Sequence, residues 1–389
     1  MQQWYNSNDI VRELRSARYE VIASLKAREL TQTLLTYDIT TRSLAARGNL
    51  VTALSNTEAS VNFTPAWTTA SRSLSVLLPT YPNVLYVSLQ DITLNKTYIN
   101  ILTEESLDIF DEVGNPRWNK ILDSANETAG YNSSFAPPII ANLIPVETTP
   151  NKILPSDVTS DGLFLGPVKI FDKTYADGTP LMAASFTLPV YNNTTVSLVD
   201  RKILGYITVV FNIENLRSII KNIQGLGKTG KVLLLGPDNI ANRWTNTTAG
   251  FVINSRVDRF KYVLPPDKNP DLTLKTGIVA DYPIARYAWD ESRAKGDKSG
   301  SNLDSINFIG EQNSVGYGLC PIYIFSANDF RLATVTFNAA NSSFLLLVEQ
   351  SRAEAFEPMH KLRMIVLATV FGVVFFILVL LPGVYSFSL

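Results

Sequence analysis

The stretch Gly225-Leu-Gly-Lys-Thr-Gly-Lys231 holds the residue types that cradle phosphate: glycines for close backbone approach, lysine for charge and a hydroxyl for a metal ion. A nucleotide loop needs Gly, four residues, then Gly-Lys-Ser/Thr. Counted back from Gly227-Lys228-Thr229, the first glycine falls on Asn222. Counted forward from Gly225 to Gly230-Lys231, the hydroxyl position falls on Val232. Each register misses by one residue. The segment before the loop, "IENLRSIIKNIQ", has helical spacing, with Leu216, Ile219, Ile220 and Ile223 on one face. The segment after it, "KVLLLGPD", reads as a strand. A nucleotide loop runs strand, loop, helix, because phosphate rests on a helix N-terminus. Here the order is reversed, and the glycines lie beyond a helix C-terminus, where the dipole repels anions. The expectation is a domain connector, with no ATP at Gly225–Lys231.

Other chemistry is bounded by counting. The chain has one histidine, His360, and one cysteine, Cys320. That removes intrachain disulfides, most zinc sites and most histidine-based catalysis. Net charge is −1, so there is no electrostatic footprint for nucleic acid. No cofactor and no catalytic residue is assigned. Carboxylates are numerous enough for a hydrolytic pair, but no spacing singles one out. An ectoenzyme and a passive, membrane-anchored surface glycoprotein therefore stay open as alternatives.

The elements that would position such residues follow from periodicity. Residues 8–55 form a long helical stretch without proline, with Ile10, Leu14, Val21, Leu25, Leu35, Ile39 and Leu50 at helix-compatible spacings. At ~1.5 Å per residue it carries the chain roughly 70 Å. Its partial heptads fail at Arg28 and Gln32, so the plain reading is a helix packed on its own domain. Strands follow at "NVLYVSLQD", "PLMAASFTLPVY" and "ILGYITVVFNI", with a helical segment near 104–124 between the first two. A second strand-rich unit includes "VGYGLCPIYI" and "FRLATVTFN". From Ser342 the chain is expected to turn helical again through "SSFLLLVEQSRAEAFE".

Met364–Leu381, "MIVLATVFGVVFFILVLL", is an uncharged run of 18 residues, enough to span hydrocarbon when extended to Tyr385. Glycosylation sequons stand at Asn62, Asn95, Asn126, Asn132, Asn192, Asn193, Asn246 and Asn341, all before this run. They point to a body outside the cytosol. Lys361 and Arg363 point the other way under the positive-inside rule, but the second flank of the span is not there to compare. The chain reads as a piece of a longer protein.

The ordered set "IASLKARELTQTLL", "YADGTPLMAASFTLPVYN", "ILGYITVVFNIENLRSI", "GKTGKVLLLGPD", "VGYGLCP" and "ILVLLPGV" resembles the double Cache sensor region of fungal osmosensing hybrid histidine kinases, over nearly the whole chain. The resemblance implies an α+β fold with two PAS-like antiparallel-sheet lobes on a long N-terminal helix, followed by one transmembrane helix. The implied divisions are a spine helix at 1–58, a membrane-distal lobe at 59–222 and a membrane-proximal lobe at 223–342. A juxtamembrane helix at 343–363, a transmembrane helix at 364–385 and a stub at 386–389 complete them. The family places this body outside the plasma membrane, signals osmotic or turgor change to a cytoplasmic phosphorelay, and carries kinase and receiver parts that this chain lacks. A homodimer through the long helices is implied as well. Bacterial relatives hold small amino acids in the distal lobe with Arg, Trp, Tyr and Asp. Arg117, Trp118 and Asp177 stand in similar settings here, but Asn119 replaces the tyrosine. The plain alternative is that Trp118 anchors a core and Asp177 shapes a turn.

Overall fold

A computed structural model describes residues 2–55, 64–81, 83–90, 97–103, 164–165, 168–174, 180–192, 203–236, 259–264, 272, 275–288, 299–307, 309–321 and 343–380. Helix α1 runs Gln2–Ala45 without a proline or glycine. At residues 46–47 the last turn tightens, with the Arg47 N–H reaching the Leu44 carbonyl at 3.2 Å. A separate helix, α2 (Gly48–Ser55), follows, so the continuous helix over 8–55 is in fact two. Helix α3 (Thr64–Leu77) leads into the first sheet.

That sheet comprises β1 (Val84–Gln90), β2 (Thr97–Leu102), β3 (Phe164–Leu165), β4 (Lys169–Thr174), β5 (Pro180–Tyr191) and β6 (Ile203–Asn212). The order is β2-β1-β6-β5-β3, with β4 also on β5, and every pair is antiparallel. One face carries Val87, Leu89, Ile207, Val209, Phe211 and Phe186 into a core shared with α1. Tyr37 of α1 stacks on Phe211 with ring centroids 4.5 Å apart.

Helix α4 (Glu214–Lys221) and the glycine connector lead to the second sheet. Its strands are β7 (Lys231–Gly236), β8 (Arg259–Leu264), β9 (Thr276–Ile278), β10 (Ser299–Ile306), β11 (Gln312–Pro321) and β12 (Ser343–Ser351). The order is β10-β11-β12-β7-β8-β9, again antiparallel, and no described strand of one sheet pairs with the other.

Residues 343–351, expected as helix, are thus the strand between β11 and β7. The physical reason is two-sided burial. Leu346 and Val348 face the core shared with α1, while Leu345 and Leu347 face a second core with Tyr282 and Tyr317. A strand buried on both faces loses its alternation and reads as a continuous apolar run. The second lobe therefore extends to Ser351, and helix α5 begins at Arg352 and runs to Phe375, with a π turn at Phe376–Leu380. Arg352–Leu378 is long and apolar enough to cross a membrane, and its most apolar window is not buried in the body.

Helix α1 packs through a stripe different from the one its sequence suggests. Tyr19, Ala23, Ala27, Leu30, Leu34, Tyr37 and Leu44 are buried. Ile10, Leu14, Val21, Leu25 and Ile39 face outward and are more than half exposed. The small residues decide this. A Cβ on Gly316 would stand 2.3 Å from the Tyr19 carbonyl oxygen, and one on Gly318 would stand 2.7 Å from the Ala27 Cβ. Alanines above glycines let the helix backbone lie directly on β11, which is the work of "VGYGLCP".

Candidate signalling junction

The glycine connector sits between the C-terminus of α4 and β7. Gly225 and Gly227 have φ of 84° and 71°, the left-handed region that glycine enters without a Cβ penalty. This curls the following N–H groups toward one point, a concave site for an anion. The anion is the chain's own Glu354. The backbone N–H of Lys228 donates to Glu354 Oε1 at 2.7 Å and that of Thr229 to Oε2 at 2.8 Å; the Thr229 hydroxyl also donates to Oε2. These donors, the Thr229 hydroxyl foremost, pull the Glu354 carboxyl down to about 2. The loop thus holds an anion although it follows the C-terminus of α4, whose dipole disfavours one. The carboxylate comes from the first turn of α5, where the next helix's dipole favours negative charge.

Locally this is a modified capping box. Ser351-Arg-Ala-Glu354 has the Ser-x-x-Glu spacing in which the glutamate reaches back to the N-cap N–H. Here Thr229 stands between the two. The Ser351 N–H donates to Thr229 Oγ1 at 3.1 Å, and that hydroxyl donates onward to Glu354. The helix that leaves the lobe thus starts on a side chain from the connector between the lobes.

Helix α1 closes the junction. Arg18 donates to the Gly225 carbonyl, and buried Tyr19 donates to Gln350, at the end of β12. Arg15 lies over the Phe356 ring at 5.0 Å. Arg12 and Arg352 converge on Asp304, Arg352 at 3.1 Å. Higher on α1, the Lys26 ammonium caps the α4 C-terminus through the Ile219 carbonyl at 2.8 Å. Beside the junction, fully buried Glu349 accepts from the Tyr282 hydroxyl and from Asn313 Nδ2 at 3.3 Å. Burial raises its carboxyl to about 7 despite these donors. The arrangement ties the two lobes, helix α1 and the start of the apolar helix α5 together.

Arg117, Trp118 and Asp177 lie outside the described residues, as do Asn62, Asn95, Asn126, Asn132, Asn193, Asn246, Asn341 and the segment 104–124. Asn192 is exposed at the end of β5, and His360 is exposed on α5. The described residues hold no group of three or more His, Cys, Asp or Glu fit for a metal. The first sheet's other face is also buried but polar. Ser88, Thr208 and Thr187 are paired across three strands, and the two threonine hydroxyls are 2.8 Å apart. Gln90 Oε1 on that face is buried without a partner among the described residues.

Two antiparallel sheets lie in series along one helix, and an inner strand of the second passes into an apolar helix long enough to cross a membrane. In sequence, the chain is similar to the osmosensing histidine protein kinase SLN1 of Saccharomyces cerevisiae, at 24% identity over 383 residues. That match covers 97% of this chain and 25% of the relative, so the chain spans about a quarter of the relative's length. Among solved structures, the extracellular domain of the histidine kinase vpHK1S-Z8 aligns with a TM-score of 0.45 at 12% identity, over 90% of this chain and 98% of that one. A domain of a sensory box/GGDEF family protein from Vibrio parahaemolyticus aligns with a TM-score of 0.42 at 12% identity, over 88% of this chain and 98% of that one. No family model matches the chain.

Proposed function

We infer that this chain is the extracellular sensor region of a plasma-membrane histidine kinase, and that it reports osmotic or turgor change to a cytoplasmic phosphorelay. The lobe at 59–222 is distal and the lobe following the connector is proximal. The chain itself is not a catalyst; the kinase belongs to the full-length protein. The observation that carries this reading is the Glu354 clasp. It joins the connector between the lobes to the start of α5, a helix long and apolar enough to cross a membrane. The similarity to an osmosensing kinase supplies the stimulus.

A change in lobe packing moves Thr229 relative to Ser351 and so shifts α5 against α1, the ångström-scale step that packed helices allow. Two packings a few kcal/mol apart suffice, and wall tension or water activity can bias them without a bound ligand. A second copy of the chain is the partner that suits the outward stripe of α1. Leu14 and Val21 are one heptad apart and Leu25 and Ile39 two, all exposed.

The test uses the full-length protein in its own membrane, with phosphorylation followed as external osmolarity changes. Removing residues 84–351 should leave output constant across osmolarities. A response that persists at full size without them would overturn the assignment.

A further inference from the structure

Glu349 has no part in the clasp but immediately precedes it on β12. Its side chain is fully buried in the second core, on the sheet face that it shares with Leu347 and Val315. Polar groups meet it from each element packed there. Lys231 of β7 is its cross-strand partner, and Glu311, just before β11, shares that ammonium at 3.8 Å. Tyr262 of β8 is close enough to feel its charge, and Tyr282, shortly after β9, donates to Oε1. Asn313 of β11 donates to Oε2 at 3.3 Å.

A charge moved from water into a core is costly even when partners are present. Burial accordingly raises the Glu349 carboxyl to about 7. Tyr282 suits both forms, since a hydroxyl donates to a carboxylate and accepts from a carboxyl. The following residues are the junction itself. Gln350, on the opposite face, accepts from Tyr19 of α1 and bonds Glu354. The Ser351 N–H donates to Thr229 at 3.1 Å, and α5 starts at Arg352. Any movement of β12 that brings an ionised Glu349 toward water therefore pulls on the ties of Gln350 and Ser351.

We propose that Glu349 is a proton-operated catch on this junction. With its proton, it holds the end of β12 in the core and the clasp closed. Without it, the end of β12 shifts toward water, and the ties of Gln350 and Ser351 loosen. External pH then acts on the same strand-to-helix junction as the lobes. That the proton comes from outside the cell rests on the proposed topology; the coupling itself does not. Histidine is the usual sensor in this pH range, and the chain's one histidine, His360, is exposed on α5, so the test must separate the two.

The test is hydrogen exchange, read by mass spectrometry, of the full-length protein in nanodiscs. Protection of residues 346–356 is followed after correction for the intrinsic pH dependence of exchange. Between about pH 5.5 and about pH 8 it should fall about tenfold, as expected when a buried carboxyl at about 7 competes with an exposed one at 4.5. Glu349→Gln should hold the parent's low-pH protection at both pH values. Tyr282→Phe removes a donor that favours the carboxylate, so it should deepen the fall. His360→Gln should keep the parent's fall. No fall in the parent overturns the proposal, and so does an equal fall in Glu349→Gln. Loss of the fall in His360→Gln would assign the proton to the histidine and end it as well. Where Glu349→Gln does not fold, a fall in Tyr282→Phe no deeper than the parent's has the same force. Exchange is read without kinase output, so failure here and failure of the sensor reading are separate results.

Discussion

Thr229 and Glu354, 125 residues apart in sequence, are joined twice: the Thr229 N–H and the Thr229 hydroxyl both donate to Glu354 Oε2. The hydroxyl also accepts from the Ser351 N–H. A residue of the inter-lobe connector therefore completes the N-terminus of the apolar helix α5. Gly227 makes room for it, since a Cβ there would stand 2.4 Å from Glu354 Oε1 on a backbone with φ of 71°. Gly227→Ala should lower stability by ~1–2 kcal/mol, a fall in Tm of roughly 2–6 °C. A thermal melt of the full-length protein reads it, and an unchanged Tm would show that the loop is not held as described.

The clasp also has a pH signature. Glu354 is depressed from 4.5 to about 2, so its contribution is complete above the unfolded value and is lost as pH falls from 4.5 through about 2. Melting temperature against pH should fall less steeply over that window in Glu354→Gln than in the parent. Parallel profiles would contradict the clasp.

Glu349 has the opposite sign. Burial raises its carboxyl from 4.5 to about 7. Its stabilisation is complete below 4.5, where both states are protonated, and is lost as pH rises through about 7, because the native state must then bury a charge. Glu349→Gln should flatten the decline in Tm between pH 4.5 and 7. A decline as steep as the parent's would place the titrating group elsewhere.

Close approach of α1 to β11 is tested by Gly316→Ala. The new Cβ meets the Tyr19 backbone rather than a movable side chain. Overpacking of this kind costs ~1–3 kcal/mol. A Tm within error of the parent would mean that the helix does not lie on the strand.

Topology is read from the sequons. Glycosidase treatment of the native full-length protein should increase its gel mobility, and Asn192→Gln combined with Asn193→Gln should remove one increment, since the Asn192 side chain is exposed. No shift on treatment, with protease reaching the body from the cytosolic side, would place the body in the cytosol.

Much of the framework was legible in the sequence where local pattern and environment agree. β5 at Pro180–Tyr191 and β6 at Ile203–Asn212 match their apolar segments because turn residues bracket them. The end of α4 and the connector were legible from the glycines. The sequence misled where tertiary burial overrides periodicity. β12 is buried on both sides and lost its alternation, and α1 buries alanines while exposing Leu14 and Leu25. The clasp spans more than a hundred residues, so no local pattern contains it. One signal was there: Ser351-x-x-Glu354 has the capping-box spacing, which marks a helix start at Arg352 and frees the preceding apolar run to be a strand.

Thr229 and Glu354 form the proposed route by which lobe rearrangement reaches α5. The most direct measurement is phosphorylation of the full-length protein in membranes across external osmolarity, comparing the parent with Thr229→Val and Lys361→Gln at equal surface abundance. Thr229→Val keeps the shape and removes the hydroxyl between Ser351 and Glu354. The account predicts that its osmotic response shrinks, or its midpoint shifts, by at least about fivefold, a modest coupling energy, while Lys361→Gln follows the parent. A Thr229→Val curve superimposed on the parent's would contradict it.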